Sequence, residues 1–241
     1  HELAHQWFGN SVTEADWPHA WLSEGFASYM THHYFESKEG DEVLQQRMTK
    51  DRGRVISYYQ KTPLPVVNEA LITAPKIQSL RELLSTNTYQ KGSWVLHMLR
   101  HEIGDEAFWN TIRQYYRQYK DGNATTEDFQ KVAEQQSGEE LEVFFKQWLY
   151  RAGQPELSGS WKFDKGEVSV TLVQKQEEVF AFPLTIGLVY DNELVLKILA
   201  LDEASEMYSF EIEKPKQIIL DPSVKLLFDG PDELVQDINE Y

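Results

Sequence analysis

His1-Glu2-Leu3-Ala4-His5-Gln6-Trp7-Phe8-Gly9-Asn10, answered after eighteen residues by Glu24 in Trp21-Leu22-Ser23-Glu24-Gly25, is the stretch on which the reading of this chain turns. On a helix, residues four apart lie one turn above another on the same face, so His1 and His5 can grip one ion together. Glu2 sits one residue round that helix, off the ligand axis but well placed to take a proton from water. A third ligand must come from elsewhere, and Glu24 supplies it if a second helix folds back on the first. Two imidazole nitrogens, one carboxylate oxygen and one open position are what catalytic zinc requires. The spacing therefore predicts a zinc hydrolase site with His1, His5 and Glu24 as ligands, Glu2 as general base and one Zn2+ per chain.

The chain holds a control for this reading. His97 and His101 also stand four apart, but Met98 occupies the position where the base should be. That pair is expected to serve a helix end, where positive charge suits the dipole. His32 and His33 are adjacent, face different sides of any helix and carry no ligand signal. The aromatic residues Trp7, Phe8, Trp17, Trp21 and Phe26 are expected to form the core that fixes the distance between the two site helices.

The words HELAHQWFGNSVT and WLSEGFASYM resemble the M1 (gluzincin) aminopeptidase family, and Thr88-Tyr89-Gln90-Lys91-Gly92 looks like that family's Tyr-x-Lys-Gly segment. The resemblance implies a zincin catalytic subdomain, zinc at His1, His5 and Glu24, and Glu2 as base. It also implies that Tyr89 supplies the hydroxyl that stabilises the tetrahedral oxyanion. Peptide is the implied substrate. Lys91 reads as a surface residue. The family's Gly-x-Met-x-Asn segment, which helps hold the substrate's amino group, has no counterpart here, nor do its N-terminal β domain and the helical C-terminal domain of many members. The chain thus reads as a processed or cut piece. The parent is expected to be an active aminopeptidase, and the piece itself weakly active or inactive. With His1 at the start, zinc retention is expected to be weaker than in a longer chain. The alternatives are a metal-binding piece without catalysis and an interaction module whose docking surface is the β domain.

Composition narrows the partners. The 241 residues carry 39 acidic and 23 basic side chains, a formal net charge of −16, which argues against nucleic acid or an anionic membrane surface. No cysteine is present, so neither a disulfide framework nor a thiolate metal site can form. No apolar run reaches the length of a membrane span. Compartment and oligomeric state have no signal in the sequence.

The expected fold class is α+β. Residues 1–153 read as a mostly helical half of a thermolysin-like catalytic domain, and 154–241 as a small antiparallel β-sandwich. The zinc helix should stop near Phe8-Gly9-Asn10, and Pro18 should open the next. A helix is expected from Asp41 to Tyr59 on the spacing of Val43, Leu44, Met48 and Val55. Residues 60–76, with Pro63, Pro65 and Pro75, read as a loop. Tyr89, Val95, Leu96 and Leu99 should share a helix ending at Gly104. Asp105 is expected to cap the next helix, from Phe108 to Tyr119, and Thr125 or Thr126 the one after. The last helix should run from Glu139 to Arg151, with Glu139 and Glu140 at its N-terminus. Beyond Pro155 the period falls to two, in Val168–Leu172, Phe180–Leu188 and Leu194–Ala200, with later strands at Phe210–Ile212, Ile218–Leu220 and Leu226–Phe228.

Overall fold

The computed structural model describes residues 1–68 and 83–237, and the chain divides into two compact units, His1–Gly153 and Gln154–Tyr241. The first is helical and the second is all β, so the fold class is α+β.

In the first unit, the His1–Asn10 segment is not the α-helix expected. It is a turn leading into a 3₁₀ helix at Ala4–Gln6, with mixed bonds: His5 N–H to His1 O at 3.2 Å spans four residues, while Gln6 N–H to Leu3 O at 3.1 Å spans three. Leu3 and Trp7 both keep right-handed helical dihedrals. His1 and His5 therefore still lie on one face although the coil is tighter than α over its middle. The segment leads to β1 (Val12–Glu14), then to a 3₁₀ turn at Trp17–His19 opened by Pro18.

Helix α1 (Trp21–Glu39) is buried on nearly all sides over its first two turns, where Trp21, Leu22, Phe26, Ala27 and Tyr29 are all withdrawn from water. Helix α2 runs Asp41–Tyr59, as its spacing predicts, with Leu44, Met48 and Val55 inward. Irregular chain follows through Pro63 and Pro65 to Asn68. The rest of the expected loop, with Pro75, lies outside the described residues.

A single π-helical turn, Asn87–Lys91, precedes α3 (Gly92–Ile103), and the Gly92 N–H reaches back five residues to the Asn87 carbonyl. Gly104, at φ +80°, ends α3 and begins α4 (Asp105–Tyr119). Asp105 was expected to be the cap but is the first helical residue. Its carboxylate instead takes Arg100 Nε and one terminal nitrogen at 2.7 and 3.0 Å. Arg100 also donates to Glu36 of α1 at 2.9 and 3.0 Å, so this guanidinium ties α1, α3 and α4.

β2 (Gly122–Ala124) returns to pair in parallel with β1, placing Val12 beside Gly122 and Glu14 beside Ala124. Helix α5 (Thr126–Ser137) starts on a complete capping box between Thr125 and Asp128. The final helix is shorter than Glu139–Arg151: α6 (Glu142–Phe145) passes into a π turn at Lys146–Tyr150. Rings from four elements meet in the core, with Phe26 and Phe129 centroids 5.1 Å apart, Tyr115 and Phe129 5.0 Å, and Phe8 and Phe26 4.7 Å. Phe8, Trp21 and Phe26 thus do the packing expected of them. Trp7 and Trp17 do not; they are 46% and 49% exposed.

The described residues of the second unit form two sheets. One has the order β7-β4-β3-β9 and the other β6-β5-β8, from β3 (Leu157–Asp164), β4 (Glu167–Gln174), β5 (Phe182–Val189), β6 (Leu194–Leu201), β7 (Ser205–Glu211), β8 (Gln217–Leu220) and β9 (Val235–Gln236). All pairs are antiparallel except β3 with β9. Val168, Val170 and Leu172 of one sheet and Leu184, Ile186 and Leu188 of the other are buried, each sheet hiding one apolar face. Strand β3 was missed in the sequence. Leu226–Phe228, expected as a strand, is buried chain outside both sheets.

Candidate metal centre and active site

The two halves of the opening motif converge on one point. His1 Nε2 lies 3.1 Å from His5 Nε2, and each of these nitrogens lies 3.2 Å from Glu24 Oε2. The His5–His1 backbone bond sets the first pair, with the rings edge to face at 4.7 Å. Glu24 arrives on the first turn of α1. Tetrahedral coordination at zinc bond lengths of 2.0–2.2 Å separates ligand atoms by about 3.3–3.5 Å, within a few tenths of this triangle. Among the described residues, His1, His5 and Glu24 are the group of three that could hold a metal ion. His97 and His101 repeat the ring geometry, 4.7 Å and 90°, but among the described residues they belong to no such group of three.

The ring of His5 is oriented from behind. Its Nδ1 lies 2.9 Å from the Phe8 carbonyl, which can only accept, so Nδ1 carries the proton and Nε2 presents a lone pair to the triangle. Gly9 makes this possible. Its φ of +122° turns the chain so that the Gly9 N–H meets Val12 O at 2.7 Å, and a Cβ there would stand 2.9 Å from His5 Nδ1. An electron pair directed at a carboxylate oxygen is repulsive unless a cation lies between them. The donor set therefore fits a divalent metal of zinc's chemistry.

Tyr89 sits on the π turn, its ring stacked on His1 at 5.8 Å and 20°. Burial, the neighbouring Glu24 carboxylate and the charge of Glu2 push its hydroxyl up to about 12, so it is a proton-bearing donor at neutral pH. Glu2 is exposed and close enough for its charge to reach Tyr89. His1, His5 and Glu24 thus meet at one point with the Tyr89 ring beside them.

A close backbone contact sets α1 against the Tyr89 segment. A Cβ on Gly25 would stand 2.9 Å from the Gly92 carbonyl carbon, so these helices meet backbone to backbone one residue from Glu24. Lys91, expected at the surface, is instead 1% exposed. Its Nζ donates to the Gly153 carbonyl at 2.6 Å, and burial, with a smaller contribution from Arg151, lowers the ammonium to about 7.

The frame is closed from a distant part of the chain. Thr126 Oγ1 accepts from Trp21 Nε1 at 2.9 Å and donates to His19 Nδ1 at 2.8 Å. Ser23, beside Glu24, donates to the Glu14 carboxylate. Gly9, the Gly25–Gly92 contact and Lys91 were not found as functional positions by sequence reasoning. Gly25 and Gly92 do follow a ligand and the Tyr-x-Lys pair directly, and that adjacency was the available signal.

Two histidines and one carboxylate converging beside Tyr89 make this the candidate metal centre of the chain. The description "Peptidase family M1 domain" matches residues 1–148, and the chain belongs to that family. It is 29% identical over 223 residues to an alanine/arginine aminopeptidase of Saccharomyces cerevisiae, covering 89% of this chain and 25% of the relative. It is 35% identical over 157 residues to a probable aminopeptidase 2 of Sulfurisphaera tokodaii, covering 64% of this chain and 20% of the relative. In fold it is similar to Legionella pneumophila aminopeptidase A, solved in complex with aspartic acid, with a TM-score of 0.72 over 95% of this chain and 26% of that one, at 22% identity. The chain thus spans about a quarter or less of the curated relatives' length.

Proposed function

We propose that this chain carries the zinc centre of an aminopeptidase that releases N-terminal residues from peptides. The observation that carries the reading is the 3.1–3.2 Å triangle of His1, His5 and Glu24. These three residues would hold the ion, and the His5–Phe8 hydrogen bond would fix one ligand's tautomer. When bound, zinc supplies Lewis acidity toward the scissile carbonyl and lowers the pKa of water at the site.

The chain's own groups then have distinct tasks. The Glu2 carboxylate accepts a proton from the attacking water as the new C–O bond forms. It returns that proton to the departing amine as the C–N bond breaks. The Tyr89 hydroxyl donates to the oxygen that gains negative charge, a role suited to a group that keeps its proton at neutral pH. Family membership, the names of its relatives and the intact Glu2 support catalysis over a metal site alone.

The test is zinc content by elemental analysis, followed by hydrolysis of aminoacyl anilides. Wild type should hold about one zinc and Glu24→Ala should lose it. Glu2→Gln should retain the metal but lose about 10²–10⁴-fold in rate. No zinc in wild type would refute the site, and an unchanged Glu2→Gln rate in an active enzyme would refute the mechanism.

A further inference from the structure

A cavity of about 270 Å³ opens beside the candidate centre, bounded on one side by His1 and by Gln90, the neighbour of Tyr89. Its other wall is the face of α2 that carries Arg47, Lys50 and Arg54, with Asp51 between them. Three cations against one carboxylate is the reverse of the chain as a whole, whose net charge is −16.

The carboxylate is already engaged. Asp51 is buried; its Oδ2 lies 2.9 Å from His32 Nε2 and its Oδ1 accepts from Arg54 at 2.9 Å. Arg47 Nε donates to His32 Nδ1 at 2.9 Å, so the ring proton resides on Nε2 and is directed at Asp51. His32 is thereby a neutral link and adds no charge. The Arg47 guanidinium lies over the Phe35 ring, 4.3 Å from its centroid. Arg54 remains half exposed although paired, and Lys50 is exposed with no ion pair among the described residues. The result is a cationic wall whose positive charge exceeds what its own acid neutralises. Ser28 and Thr31 of α1 add hydroxyls to the lining.

We infer that this cavity is a substrate subsite that takes a carboxylate of the bound peptide. The inference rests on the peptidase reading above, because only a substrate at His1 would bring its own chain into the cavity. Charge-assisted bonds from Arg and Lys to a carboxylate are the strongest such a wall can offer. The long-range field of an acidic protein repels anions, so recognition depends on these local cations and weakens with salt. The carboxylate is either an acidic side chain or the peptide's own C-terminus.

Three blocked dipeptides separate these sources, titrated into the zinc-loaded chain and followed by amide chemical shifts. Acetyl-Ala-Glu-NH2 carries only a side-chain carboxylate, acetyl-Ala-Ala only a terminal one, and acetyl-Ala-Gln-NH2 neither. At least one carboxylate probe should shift Lys50, Arg54 and Gln90 and bind about tenfold more tightly than the neutral isostere. The preferred probe identifies the source. Lys50→Ala/Arg54→Ala should abolish that preference, while a carboxylate held by the zinc would survive it. Equal binding of all three probes, shifts mapped elsewhere, or a preference retained in the double variant would each overturn the assignment. Failure of the chain to take up zinc, with the preference intact, would count against the peptidase reading and leave the cationic subsite standing.

Discussion

Replacing Lys91 by methionine should make the protein's stability depend differently on pH. Lys91 is fully buried against the Gly153 carbonyl, and burial lowers its ammonium from 10.5 to about 7. In the unfolded chain it recovers its ordinary value. Between pH 7 and 10.5 the unfolded state therefore holds a proton that the folded state has released, and stability rises with pH across that window. Below pH 7 both states are protonated, and the cost of burying the charge is fully present and constant. Each pH unit inside the window is worth about 1.4 kcal/mol, so from pH 6 to pH 9 wild type should gain about 2.5 kcal/mol relative to Lys91→Met. Histidines, carboxylates and the α-amine titrate in both proteins and cancel in the difference. Urea unfolding of the pair at pH 6, 7.5 and 9 reads this directly. A difference that stays flat would mean that Lys91 remains charged in the folded state, and a difference of opposite sign would mean that burial is not what governs it.

Three other substitutions bear on the site. Gly25→Ala should drive a methyl into the Gly92 backbone, where nothing can swing aside, costing about 1–3 kcal/mol in urea unfolding; a neutral result would mean that the contact is loose. Gly9→Ala should displace the His5 ring from the Phe8 carbonyl and weaken zinc affinity about 10–100-fold in a chelator competition, whereas unchanged affinity would deny that bond an orienting role. Tyr89→Phe should keep its zinc yet lose about 10²–10³-fold in kcat/KM, and a loss confined to zinc content would make Tyr89 a structural support for Glu24.

How much of this was legible depended on whether a feature has a period. Helix α2 was read to the residue because Val43, Leu44, Met48 and Val55 mark one stripe between a glycine and a chain of prolines. The convergence of His1, His5 and Glu24 was also legible, as the two histidines are one turn apart and Glu24 opens the next long helix. Five residues are too few to distinguish bonds spanning three residues from bonds spanning four, so the opening turn was read as α. Lys91 was misread because a lysine reports its charge and not its surroundings; only the fold supplies the Gly153 carbonyl. Strand β3 was lost because Leu157 and Trp161, its buried positions, are four apart instead of two. Asp105 could cap a helix or pair with Arg100, and sequence cannot rank the two.

The Thr126 clip has a consequence for the order in which the protein is made. The candidate ligands all lie within one stretch of 24 residues, yet His19 and Trp21, which fix the approach of α1, wait for a hydroxyl more than a hundred residues later. At about 5–20 residues per second that interval is on the order of 5–20 s of translation. During it two histidines and a glutamate are within reach of cellular metal without the framework that sets their angles. A closure over so long a loop is also slow to find. The frame that sets the angles of these candidate ligands is therefore completed by a threonine that is not one of them.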